Sequence, residues 1–119
     1  MSENVLRDKA YEFALRTVKL SRYLSDQKKE FVLSKQVLRS GTSIGANVKE
    51  ANQAQSKSDF IHKLSISQKE SFETHYWIRL LRDSELINPK LADSLLVDCE
   101  ELQKLITASI KTAKRNLRK

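Results

Sequence analysis

Two histidines, one cysteine and a closely spaced pair of glutamates are the side chains with which this chain could do chemistry. Asp59-x-x-His62 has the spacing that sets two metal ligands on one helix face, yet a di-iron centre among helices needs two such pairs and further Glu ligands. Phe72 stands three positions before His75, so the second pair is missing and no metal site is expected. Glu70 and Glu73 also share a helix face, but paired carboxylates act as acid and base only where burial drives their pKa values apart. With Lys69 beside them and Arg79 further along, charge pairing is the expected role. A lone cysteine with two histidines makes no nucleophile constellation, and Cys99 reads as a small buried residue in a reducing compartment. No glycine-rich phosphate loop and no His-Glu-x-x-His motif is present. Neither catalytic residues nor a cofactor is expected, and the chain reads as a non-enzyme.

The basic residues are more suggestive. Lys plus Arg number 22 and Asp plus Glu 15, and 22 − 15 gives a formal net charge of +7, which favours polyanions or acidic partners. After Glu101 no acid follows, whereas Lys104, Lys111, Lys114, Arg115, Arg118 and Lys119 do. Near the other terminus Arg7, Lys9, Arg16, Lys19 and Arg22 are diluted by Glu3, Asp8, Glu12 and Asp26. Cations at a helix C-terminus also suit the helix dipole, so a solvated tail would look the same. The candidate nucleic-acid contacts are Arg16, Lys19, Arg22, Lys111, Lys114, Arg115, Arg118 and Lys119. If the first and last helices lie side by side, the two sets merge into one stripe that grips phosphates without reading bases. Aromatic platforms for base stacking are sparse on that face, with Tyr11 and Tyr23 the only candidates.

Helices must position these groups. The chain has 119 residues, two Gly and one Pro, too few turn-forming residues for an all-β fold and enough length for one core-bearing domain spanning 1–119. Leu6, Ala10, Phe13, Thr17, Leu20 and Leu24 recur at steps of three or four and predict a first helix over about 3–26. Leu33, Val37, Gly41, Ile44, Val48 and Ala51 predict a second over about 33–54, with Ser34 as its cap. Gly41 and Gly45, one turn apart, each cost about 1 kcal/mol relative to Ala, so they predict a close helix crossing. Ser56, three residues before Asp59, reads as a capping box for a third helix over about 58–83, and Asn88-Pro89 as the start of a fourth over about 89–117. Short connections then dictate an all-α, antiparallel up-down-up-down four-helix bundle.

One stripe per helix does not absorb every apolar side chain. Tyr76, Trp77 and Ile78 are consecutive and span about 200° of helix circumference, and Leu95, Leu96 and Val97 pose the same difficulty. Since large apolar patches are seldom left in water, Tyr76, Trp77 and Leu96 are candidate subunit contacts of a homo-oligomer. On the second helix Ser43, Asn47 and Glu50 line the core margin, where Lys69, Glu70, Glu73 and Thr74 on the third are expected to satisfy them in a register-fixing polar network.

The segment Ser43-Ile44-Gly45-Ala46-Asn47-Val48-Lys49-Glu50, with Arg39 upstream, resembles the Ser-Ile-x-Ala-Asn-x-x-Glu signature of the four-helix bundle proteins first noticed in 23S rRNA intervening sequences. Asp59 to Ile66 and Lys69 to Trp77 are similar to that family's second block, and together the two blocks cover about a third of the chain. Ser67, Phe72 and His75 depart from the Ala and Arg of close relatives, which removes positive positions from the third helix. The resemblance implies a left-handed bundle that assembles into a ring, a pentamer, as in the related accessory variability determinant of diversity-generating retroelements. That relative's partners, nucleic acid and a reverse transcriptase, imply RNA or DNA and a nucleic-acid enzyme as partners here. The competing reading is a protein–protein scaffold whose charge serves only solubility. The first residues carry charge and no apolar stretch, so no secretory signal is visible, and no run approaches the roughly 18 apolar residues of a membrane span. A cytoplasmic protein without membrane contact is expected.

Overall fold

The computed structural model describes residues 3–117 as four helices, α1 (Glu3–Gln27), α2 (Leu33–Asn52), α3 (Lys57–Asp83) and α4 (Pro89–Leu117). Each packs antiparallel on its neighbour in sequence, and α4 closes back onto α1 along a sparser seam. The result is an all-α up-down bundle, a rod of 51 × 21 × 19 Å. Its core is drawn from the apolar stripe of every helix, with Phe13, Leu24, Ile44, Leu64, Ile78, Leu81, Leu95 and Ile106 removed from solvent. Each such burial is worth about 1.5–3 kcal/mol.

Helix starts follow local chemistry. Ser56 Oγ accepts from Asp59 N–H at 3.0 Å, which starts α3 at Lys57. Asn88 Oδ1 accepts from Lys90 N–H at 2.7 Å, with Pro89 in the first turn of α4. At α2 the expected cap is corrected: Ser34 is buried inside the first turn, and the Glu30 carboxylate accepts from Ser34 N–H at 2.9 Å. The Ser34 hydroxyl instead meets Ser25 Oγ at 3.3 Å, tying the end of α1 to the start of α2. Two helix ends reverse through the left-handed region without a glycine, at Lys29 (φ 52) and Glu85 (φ 64). Their turns are closed by Glu30 N–H on Leu24 O at 2.9 Å and Leu86 N–H on Leu81 O at 3.0 Å.

The glycines do mark a close crossing. A Cβ on Gly41 would lie 2.8 Å from Thr17 Cβ, and one on Gly45 would lie 3.3 Å from the Ala10 carbonyl oxygen, so α1 and α2 touch backbone to backbone. On its other side α2 approaches α3 through small hydroxyls. Ser67 Oγ donates to Ile44 O at 2.8 Å, and the Ser40 and Thr74 hydroxyls bond each other at 2.9 Å, all four residues being fully buried. Among the described residues no buried side-chain N or O lacks a partner.

Leu96 is corrected as a subunit contact. It is 7 % exposed and belongs to the protomer's own core, because α4 packs more closely on α3 than on α1 and its apolar sector widens toward that flank. Val97, beside it, is exposed.

The two glycines are predicted to respond differently to a methyl group. Gly41→Ala should destabilise by a net of about 1–2 kcal/mol in urea unfolding, since overpacking against the β-branched, buried Thr17 outweighs the gain in helix propensity. Gly45→Ala should stay within about 1 kcal/mol of the parent, because a shift of a few tenths of an ångström relieves it. Glu85→Gly should raise stability by about 0.5–1 kcal/mol by removing the Cβ from a left-handed position.

Candidate nucleic-acid interface

The antiparallel pairing of α1 with α4 decides which cations can act together. Lys9 Nζ meets Glu101 Oε1 at 3.2 Å, and Arg16 donates to Asp98 Oδ2 at 2.7 Å and to Ser94 Oγ at 3.1 Å. That register sets the exposed Lys19 and Arg22 beside the first turns of α4. Lys111, Lys114 and Arg115 lie about 30 Å away at the opposite end of the rod, from the 1.5 Å rise per residue. The expected single stripe is therefore corrected: the two basic sets occupy opposite ends, and Arg16 between them is held by Asp98. Arg118 and Lys119 lie outside the described residues.

The end of α4 has a different character from the flanks. Gln68 Nε2 donates to Thr107 Oγ1 at 2.9 Å and His75 Nε2 meets Glu100 Oε2 at 2.9 Å, which lays the last turns of α4 along the first turns of α3. Lys57, Lys111, Lys114 and Arg115 are all exposed there, as is Lys104 at the middle of α4, and none has an ion-pair partner among the described residues. Elsewhere some cations are matched, as in Lys63 with Glu50 at 3.2 Å, or Arg82, which pairs with both Asp83 and Asp93, whereas Lys19, Arg22, Lys35 and Lys69 have no ion pair among the described residues. The Arg82 hydrogen bond holds the Asp83 carboxyl below the ordinary carboxylate range.

The expected polar network on α2 and α3 does not form as read. Ser43 Oγ donates to Arg39 O at 2.7 Å and Asn47 Nδ2 to Ser43 O at 2.9 Å, so both hydroxyl and amide are satisfied by their own helix. Glu50 goes to Lys63, and Lys69 is exposed. Glu70 and Glu73 converge on Arg39, with Glu73 also accepting from Trp77 Nε1 at 3.1 Å. Arg39 thus neutralises the only close pair of carboxylates that resembled an acid–base couple. The reason is register: Arg39, one turn before Ser43, is the residue that meets Glu70 and Glu73 across the seam.

Comparison with known proteins places these seams in a family. The chain matches the family described as 23S rRNA-intervening sequence protein over residues 2–108. It belongs to that family. A crystal structure of a protein of unknown function from the S23 ribosomal protein family of Bacteroides thetaiotaomicron VPI-5482 superposes with a TM-score of 0.91 at 52 % identity, covering 93 % of this chain and 99 % of that one. Among curated proteins none matches.

This family member shows no catalytic arrangement among its described residues. Glu70 and Glu73 are tied to Arg39, His75 meets Glu100, and no three His, Cys, Asp or Glu side chains are grouped closely enough to hold a metal ion. No helix is long and apolar enough to cross a membrane. Cys99 is fully buried, with Sγ donating to Ser71 O at 3.2 Å; burial, reinforced by Glu100 and Asp98, pushes its thiol up to about 12.

Of two further features, sequence reasoning named only Tyr76 and Trp77 of the first and nothing of the second. Phe72, Tyr76 and Leu80, spaced four apart, present an exposed apolar row on the outer side of α3, with Trp77 half-buried and edge-on to Tyr76 at a ring separation of 5.1 Å. Phe31 and Val32, 54 % and 69 % exposed, add apolar surface just before α2. Phe72 and Leu80 follow from the helical spacing of Tyr76. The second feature is a groove of about 620 Å³ at the basic end of the rod, between the end of α2, the 53–56 turn and the last turns of α4. Nothing in the hydropathy pattern announces it, because small and amide residues line it.

Cys99 should be inert in the folded protein. At about pH 8, carboxymethylation by iodoacetamide should run at least about a hundredfold more slowly than in urea. A folded pKa above the unfolded one means that the stabilisation is complete below about pH 8.5 and is lost as pH rises toward 12. Cys99→Ala should therefore flatten the loss of stability over that alkaline range, measured by urea midpoints.

Proposed function

We propose that this chain is a non-enzymatic bundle that assembles with copies of itself and holds RNA or DNA electrostatically through the basic end formed by α4 and the start of α3. The observation that carries the reading is the segregation of charge. Lys57, Lys111, Lys114 and Arg115 cluster at one end with no ion-pair partner among the described residues, and α4 carries no acid after Glu101. Unneutralised, clustered and exposed cations are what releases counterions from a phosphate backbone. Nothing on that surface is arranged to read base edges of a duplex, so binding is by charge and shape. The words rRNA in the family's description and ribosomal in that of the matched structure agree with an RNA partner. A nucleic-acid enzyme is the partner this accessory role would serve.

Self-association rests on the outer row of α3. Phe72 and Tyr76 are each more than half exposed, and Leu80 extends them by another turn. A second copy is the occupant that hides such a row in every protomer at once, and a ring, a pentamer, is the assembly that the family resemblance favours. The same row favours one other reading, a scaffold that captures a protein partner through α3 with no nucleic-acid role.

Salt dependence separates the two. If about five phosphates are neutralised per complex, the log of duplex affinity should fall against log salt with a slope near −4.5, and Lys111→Ala/Lys114→Ala/Arg115→Ala should make it shallower by roughly 2 to 3. A flat salt response, or no retention near physiological salt, would count for the scaffold. Light scattering after size exclusion should give a multiple of the 13.7 kDa protomer mass that Tyr76→Glu reduces; a single-protomer mass for the parent would refute self-association.

A further inference from the structure

The groove at the basic end is built from three elements that meet only there. Asn52 closes α2, Gln55 and Ser56 belong to the turn, Phe60 faces in from the first turn of α3, and Thr112 and Asn116 come from the last turns of α4. The floor between them is small, with Ala51, Ala54 and Ala113 leaving the space open. At about 620 Å³ it falls within the range of small-ligand sites.

The chemistry of the lining is selective. Three carboxamides, on Asn52, Gln55 and Asn116, each offer two N–H donors and a carbonyl acceptor, the pattern that matches the edge of a nucleobase. Phe60, half-buried, is the one aromatic residue on the lining, and the lining contains no acid. Lys57 stands on the rim, and Lys111, Lys114 and Arg115 rise from the same turns of α4 that supply Thr112 and Asn116. A neutral heterocycle with an attached phosphate fits this combination of lining amides and adjacent cations.

We propose that the groove receives one unpaired nucleotide of an RNA strand, its base among the amides of Asn52, Gln55 and Asn116 and its phosphates against the cations of α4 and Lys57. This rests on the nucleic-acid reading above and narrows it. A duplex cannot supply the ligand, because stacked and paired bases hide their edges and an A-form helix buries them in a deep major groove. A strand end, bulge or loop can. The basic end thus attracts any nucleic acid, and the groove selects those with an unpaired base next to the phosphates it holds.

The experiment compares a blunt RNA duplex with the same duplex carrying a short unpaired 3′ extension, by fluorescence anisotropy at fixed salt. The extended RNA should bind about tenfold more tightly, the gain expected from seating one base. Thr112→Trp, which fills the groove from an exposed position, should remove that advantage while leaving blunt-duplex affinity within about twofold. Asn116→Ala, in the last described turn and without a fold-determining contact, should reduce it in the same sense. Lys111→Ala/Lys114→Ala/Arg115→Ala should weaken both RNAs alike. Equal binding of the two RNAs by the parent, or an advantage untouched by both groove variants, would overturn the groove proposal and leave the electrostatic reading standing. Failure of both RNAs to bind would overturn both readings.

Discussion

The approach of α2 to both of its neighbours is the constraint on which the rest of the structure depends. Gly41 makes room for the Thr17 side chain and Gly45 for the Ala10 backbone of α1, and the small hydroxyl residues Ser40, Ser67 and Thr74 allow the same closeness on the α3 side. Small residues on both seams forbid sliding in a way that leucines would not. The Ser67 hydroxyl must find the Ile44 carbonyl or be left buried without a partner, a loss of about 1–3 kcal/mol. Once that bond fixes the register, Arg39 falls opposite Glu70 and Glu73, and Glu50 opposite Lys63. These exposed pairs add little stability, because their desolvation is slight and solvent screens them. They report the register rather than set it.

The fourth seam is of another kind. α4 meets α1 sparsely, and the contacts that span the gap are long charged side chains, Lys9 to Glu101 and Arg16 to Asp98 and Ser94. Acids on α4 up to Glu101 are engaged in this seam or face α3, as Glu100 does through His75. Beyond Glu101 the helix has no acid left, so its last turns carry cations that no acid among the described residues pairs with. The basic end is thus a consequence of where the acids of α4 run out, beside the first turns of α1.

What the sequence discloses follows from which periodicities it contains. Apolar spacing fixes the face each helix turns inward, so Leu6, Ala10, Phe13, Thr17, Leu20 and Leu24 are all buried, as are Leu95, Cys99, Leu102, Ile106 and Ile110. Ser56 and Asn88 are legible as caps because their oxygens act within three residues. Pairing across helices has no such local signal. Ser43 and Asn47 have the spacing of a network yet bond their own backbone, and Lys19 and Arg22 match Lys111 and Lys114 in charge yet lie at the other end. Lys29 and Glu85 occupy left-handed positions that a glycine would have advertised. Leu96 is hidden because the α3–α4 seam is broad, a tertiary fact that a single helix's wheel does not contain.

Geometry also separates the two proposed surfaces. The row of Phe72, Tyr76 and Leu80 runs along the side of the rod, whereas Lys111, Lys114, Arg115 and the groove stand at its tip. Copies that meet through their sides leave every tip in solvent and turn them the same way in a ring. In the proposed binding mode each tip would be a weak electrostatic contact by itself. Several held at fixed spacing raise the effective concentration of one for a strand already held by another, and avidity rises without any new contact. The proposed assembly through α3 and the proposed binding through α4 would therefore reinforce each other, although no residue belongs to both.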